Sequence, residues 1–218
     1  MARMVLASRG GYLPRMSTAK DLARTERRIF VTADTHFGHA KAVEIFRRPF
    51  ASADAMDEAL VAAINAVVGA KDILLHLGDF TGPLDRAGDD WGAADFKRLE
   101  SLRDSILCRR IHLVRGNHDP AGRKRFDALF ESVDDIVSGR GIAGVDERIV
   151  CFHYPIDQWQ GRPNGGFHLH GHVHGHAAPL ARRFDAGVDA APNALRPRLL
   201  REVVEELRRT PPSGFVRV

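Results

Sequence analysis

The chain has 218 residues, is 44% hydrophobic and carries a formal net charge of +4, which describes one ordinary globular domain with a sizeable core. No apolar run approaches the roughly 20 residues needed to cross a bilayer, so a helical membrane span and a membrane partner are excluded. The basic residues are mostly arginines scattered beside acids, as in "RLESLRD" and "REVVEELRR"; solvated helix faces account for them, and the charge pattern does not indicate a nucleic-acid partner.

In chain order, the opening "MARMVLASRGGYLPRM" is basic, but its apolar part is too short and too broken for a secretory signal. Residues 1–26 read as an N-terminal extension, flexible or partly disordered, and 27–218 as a single domain. "RIFVTADTH" (28–36) reads as the first strand. A helix follows over about 54–68, with Met56, Leu60, Ile64 and Val67 or Val68 on one stripe, acids in its first turn and Gly69 at the C-cap. "ILLHLGD" (73–79) is a strand. A helix over about 93–106 shows Phe96, Leu99, Leu102 and Ile106 on one face, and "IHLVRGNHD" (111–119) is the next strand with its polar end. A short helical segment around 123–130 precedes β-like runs near 133–137 and 148–155, a histidine segment "FHLHGHVHGH" (167–176), a strand near 183–188 and an amphipathic helix carrying Leu199, Leu200, Val203, Val204 and Leu207. The alternation predicts an α/β layered domain whose sheet faces are covered by helices. Cys108 and Cys151 match no metal-ligand spacing and read as buried free thiols of a reducing, cytoplasmic compartment.

The polar ends of the strands are of one kind. Asp34-x-His36, Gly78-Asp79, Gly116-Asn117-His118-Asp119 and His153 each close an apolar run, and Gly171-His172-x-His174 completes the series. Each is weak alone. Together, Asp, Asn and His at successive strand ends supply the oxygen and imidazole donors that suit first-row divalent cations, where the loops of an open α/β sheet converge.

This ordered set resembles the calcineurin-like metallophosphoesterase superfamily, in particular small stand-alone bacterial and phage-type members with "DTHFGH" at the first motif, and it spans residues 29 to about 189. The resemblance implies a sandwich of two mixed β-sheets flanked by helices. It implies that Asp34, His36 and His174 bind one metal, that Asn117, His153 and His172 bind a second, and that Asp79 bridges both. His118 then faces the scissile group as proton donor, with Asp119 behind it fixing its orientation. His168, His170 and His176 are neighbours rather than ligands. The implied activity is hydrolysis of a phosphate ester, a phosphodiester or nucleotide by preference, through attack of a metal-bridging hydroxide. The cofactors are two divalent ions, manganese first, with iron, zinc, nickel or magnesium as alternatives. Two rival readings stand beside it: a nuclease acting on DNA or RNA, and a non-catalytic scaffold of the same fold.

Candidate substrate residues are His39 on the loop after the first motif, or else a partner to a ligand; the pair Arg47 and Arg48, whose guanidinium forks suit phosphate, or else a solvent-exposed pair; and Trp159 and Arg162 on the Gly- and Pro-rich stretch 155–166, where Trp159 alternatively pins the loop to the core. Residues 82–92 read as another rim loop. His76 and His112, inside apolar strands, read as core histidines.

Overall fold

The computed structural model describes residues 17–82 and 92–210. These residues form helix α1 (Thr18–Arg24), strand β1 (Ile29–Thr32), helices α2 (Ala40–Ile45) and α3 (Ala53–Val67), strand β2 (Ile73–His76), helix α4 (Ala93–Ser105), strand β3 (Arg110–Val114), helix α5 (Lys124–Asp127), strands β4 (Ser132–Asp134), β5 (Ile136–Gly139), β6 (Ile149–Phe152), β7 (Phe167–His170), β8 (Arg183–Asp185) and β9 (Arg198–Leu199), and helix α6 (Leu200–Arg208). The stretch 1–16 and nearly all of the expected rim loop 82–92 lie outside the described residues.

The strands make two mixed sheets, as expected. One has the order β4-β3-β2-β1-β9, with β1 to β4 parallel and β9 antiparallel; the other runs β5-β6-β7-β8, with only β5 antiparallel. Period-two alternation sorts the side chains into two cores. Ile29, Val31, Ile73 and Leu75 point between the sheets and meet Ile149, Cys151, Phe167 and Leu169. Phe30, Leu74, Ile111 and Leu113 point outward and are covered by Met56, Leu60 and Ile64 of α3 and by Phe96 and Leu99 of α4. Strands covered on both faces read as continuous apolar runs, which is why these short strands show little polar alternation. Each fully buried Leu, Ile or Phe contributes about 1.5–3 kcal/mol relative to exposure.

Helix α3 begins where Ser52 Oγ accepts the Ala55 N–H at 3.1 Å. Its end differs from expectation: Val68 caps it in an extended conformation, and the Gly69 N–H donates to Asp72 Oδ2 at 2.8 Å. The stop is therefore made by the Asp72 carboxylate rather than by a left-handed glycine. Part of the stretch assigned as an extension is ordered. Residues 18–24 form α1, whose Leu22 is fully buried between the sheets. The Thr18 hydroxyl hydrogen-bonds Ser132 Oγ at 2.7 Å and Asp134 Oδ2 at 2.6 Å, tying α1 to β4. Leu22, the smaller Ala19 and the Thr18 hydroxyl hold this seven-residue helix, too little periodicity to mark it in advance.

Both cysteines are buried and unpaired, and no described helix is long and apolar enough to cross a membrane.

Candidate metal centre

The loops leaving β1, β2, β3, β6 and β7 meet at one edge, so both sheets contribute. The β1 and β2 loops are zipped together: Asp34 N–H donates to Gly78 O at 2.9 Å, His36 N–H to Asp79 O at 3.0 Å and Phe37 N–H to Phe80 O at 2.9 Å. That zipper turns Asp34, His36 and Asp79 toward a common space. The turning is strained. Asp34, His36, Asp79, His172 and His174, five of the seven expected ligands, have φ between 48° and 73°, a region that non-glycine residues enter at a cost of roughly 1 kcal/mol or more. Close approach is secured by two glycines. A Cβ on Gly116 would lie 2.2 Å from Asp79 Oδ1, and one on Gly171 would lie 2.7 Å from Asp34 Oδ2.

The side chains gather into adjoining groups whose ligand atoms lie within 4.8 Å of one another: Asp34 with His36 and His174, Asp79 with His153 and His172, and His36 with Asp79 and His118. Asp79 stands between the first two. Its Oδ2 is 3.6 Å from His36 Nε2 and 3.5 Å from His153 Nε2, too far for hydrogen bonds and close to the spacing of donors that share a small divalent ion at about 2.0–2.2 Å. Asn117 Oδ1 lies 3.1 Å from His153 Nε2 and 3.0 Å from His172 Nδ1.

The donor set fits a cation on three counts. Both ring nitrogens of His36 are buried without a hydrogen-bond partner, a cost that coordination removes. His153 Nδ1 lies 2.8 Å from the Leu77 carbonyl and His174 Nδ1 lies 2.7 Å from Asp189 Oδ2, so each ring donates from Nδ1 and turns Nε2 inward, the usual arrangement of ligating histidines. Two carboxylates are sunk among these rings. Burial pushes Asp34 well above the ordinary carboxylate range. Burial works the same way on Asp79, but His153, the His118 N–H and His36 outweigh it and hold it down at about 2. Burial also lowers His36 to about 2, leaving a neutral donor.

The residues assigned beyond the ligands fare differently. His118 is 34% exposed at the mouth, with Nε2 3.9 Å from Asp79 Oδ2 and its backbone N–H donating to Asp79 Oδ1 at 2.9 Å. Asp119 does not sit behind that imidazole. Its carboxylate accepts the backbone N–H groups of Asp79, Gly116 and Phe80, each at 2.9 Å. It therefore fixes the β2 and β3 loops, and its expected role in orienting His118 is corrected. Burial, reinforced by Asp79, raises this carboxyl to about 6.

Arg48 is corrected too. Its guanidinium is 1% exposed and fully engaged, to Asp189 at 2.9 and 2.7 Å, to Thr35 O at 2.8 Å and to Asp34 O at 2.6 Å. It braces the first ligand loop and, through Asp189, the His174 ring, and no donor is left for a phosphate. Arg48→Ala is expected to lower stability by roughly 3–5 kcal/mol, because Asp189 would be left buried with its main partner gone. Denaturant unfolding of the two proteins in chelator measures this; a loss under 1 kcal/mol would contradict it.

Trp159 is likewise occupied. It is buried, donates from Nε1 to Gly166 O at 3.1 Å and packs on His168 at 5.5 Å between ring centroids. Arg162 lies over the Trp159 ring at 5.1 Å and donates to the Asp157 carbonyl. Both pin the rim loop and do not line the centre. His39, at the N-cap of α2, is buried with its ring 5.5 Å from His36 and 6.3 Å from His118. Arg47 is exposed beside the centre. It occupies the position after the α2 cap with φ 51°, where its N–H donates to Glu44 O at 3.2 Å and the Arg48 N–H to Val43 O at 2.9 Å. This is the closing pattern that helices ordinarily build with glycine.

Three site residues escaped the sequence reading. Phe46 stacks on His174, with ring centroids 3.5 Å apart. Tyr154 packs edge-on against His172 at 4.6 Å. Asp189 orients His174. Of these only Asp189 carried a signal, an acid soon after a short strand, the same mark that singled out Asp34 and Asp79.

This fold with converging Asp, Asn and His loops is that of a metal-dependent phosphoesterase. The family model for calcineurin-like phosphoesterases matches residues 27–203, and the chain belongs to that family. The family's description is that of phosphoesterases, enzymes that hydrolyse phosphate esters. The chain is similar to the uncharacterized protein MJ1445 of Methanocaldococcus jannaschii, at 35% identity over 98 residues, which are 45% of this chain and 50% of that one. The match thus spans half the length of that relative. It is also similar to the Gene 66 protein of Mycobacterium phage D29, at 28% identity over 82% of this chain and 96% of that one. Among solved structures, the protein of unknown function AQ665 from Aquifex aeolicus shares the fold, with a TM-score of 0.61 and 21% identity, covering 83% of this chain and 99% of that one.

Proposed function

We propose that the chain hydrolyses phosphodiesters, nucleotides being the substrate class, in a centre that holds two divalent cations. The single observation that carries this reading is the pair of adjoining ligand groups with Asp79 between them. Asp34, His36 and His174 hold one ion, Asn117, His153 and His172 the other, and Asp79 is shared. Two cations held by these adjoining groups would repel each other, and a common carboxylate would offset part of that repulsion. The N/O donor set fits manganese or iron. Bound ions supply a nucleophilic oxygen near neutral pH and neutralise charge on the phosphoryl group.

The chain's own residues do the rest. His118, open to solvent on its outer side, delivers a proton to the leaving oxygen. Asp119 keeps the loops of Asp79 and Asn117 in register through three backbone N–H groups. Asp189 and Phe46 fix the His174 ring by a hydrogen bond and a stack. A panel of phosphomonoesters, phosphodiesters, cyclic nucleotides and single-stranded DNA tests the proposal. With manganese, diester hydrolysis is expected, falling about a hundredfold or more with chelator and returning on re-addition. Activity that survives exhaustive chelation would overturn the metal dependence, and hydrolysis of monoesters alone would overturn the substrate class. Preference for single-stranded DNA, falling steeply with salt, would favour the nuclease reading instead.

A further inference from the structure

A cavity of about 500 Å³ lies against the C-terminal end of α2, lined by Ile45, Phe46, Arg47, His174, His176 and Asp189. Its volume is that of an ordinary small-molecule site. Because His174 forms part of its wall, the cavity opens directly beside the proposed metal ligands. Three of its lining residues are already committed: Phe46 and His174 to each other, and Asp189 to Arg48 and His174. Ile45 and Arg47 are not. Ile45 is 61% exposed, more than any other large hydrophobic among the described residues. The Arg47 guanidinium has no hydrogen bond or ion pair among the described residues. Its backbone is held left-handed at a position that favours glycine, so a large side chain stands there against local preference. Breaches of local rules of this kind gather at functional sites.

We infer that this cavity is a subsite for the arm of a phosphodiester that stays on the phosphate, and that this arm is a nucleoside. The inference rests on the phosphodiesterase reading and names its substrate more closely. An apolar side chain and a planar cation together suit a flat π-system: the base lies against Ile45 and takes the Arg47 guanidinium on its face. A purely aliphatic arm would use Ile45 and leave Arg47 idle. The retained arm is the one concerned because His118, the proton donor for the leaving oxygen, is not part of the cavity wall.

The test compares thymidine 5′-(p-nitrophenyl phosphate) with methyl p-nitrophenyl phosphate in the manganese-loaded protein. Both release the same phenolate, so the chemistry is matched and only the retained arm differs. The wild-type ratio of kcat/KM, nucleoside over methyl, is expected to be about tenfold or more. Arg47→Gly and Ile45→Ala are each expected to lower that ratio at least about fivefold. Arg47→Gly also relieves the left-handed strain, so its melting temperature should hold or rise, which separates loss of the side chain from loss of the fold. A wild-type ratio near one, or a ratio unchanged in both variants, overturns the subsite while leaving the phosphodiesterase reading intact. Absence of metal-dependent hydrolysis of either ester overturns that reading and the subsite with it.

Discussion

Asp79→Asn is expected to lose bound metal and to reduce turnover of any phosphate ester at least about a thousandfold, more than 4 kcal/mol of barrier. The reasoning is electrostatic. Asp79 is the carboxylate placed between the two ligand groups, and it alone stands opposite both His36 and His153, at 3.6 and 3.5 Å. Asparagine preserves shape and the acceptor for the His118 N–H but removes the negative charge that lets two cations sit together. Metal analysis after gel filtration, alongside an activity assay, checks it. A fully metallated, active Asp79→Asn protein would show that the shared carboxylate is not needed.

His118→Ala should separate binding from chemistry. This imidazole is 34% exposed, and its side chain completes neither of the two ligand groups assigned to the metals. Metal content should stay near the wild-type level. Turnover of diesters with alkyl leaving groups should fall about a hundredfold or more, whereas p-nitrophenyl esters, whose phenolate departs without a proton, should lose about tenfold or less. Equal losses on both substrate types would rule out His118 as the proton donor.

Much of this site could be read in advance for one physical reason. Parallel strands covered on both faces appear as short apolar runs, and the loops at their carboxyl ends carry the chemistry, so Asp34, Asp79, Asn117, His153 and His172 were marked by where the apolar runs stop. The histidine segment divides along the same line. Strand β7 ends at His170, and the chain then turns left-handed at His172 and His174, which separates the proposed ligands from the strand. Arg48 and Asp119, whose roles were corrected, share a different feature: their partners are distant in sequence. Arg48 finds Asp189 across 141 positions, and Asp119 finds backbone N–H groups 39 and 40 residues away. Trp159 is satisfied by a carbonyl seven residues on, but only because the loop folds back under it. Local pattern states what a side chain could do chemically, not whether the fold has already used it. Helices α1 and α2 escaped notice because each fully buries only one hydrophobic residue, Leu22 and Ala42, too little to draw an apolar stripe.

The central claim is that these loops hold two cations side by side, and anomalous diffraction from crystals soaked in manganese tests it most directly. Two peaks are expected, one among Asp34, His36 and His174, the other among Asn117, His153 and His172, with Asp79 reaching both. A single peak remote from Asp79, or none at saturating manganese, would contradict the account.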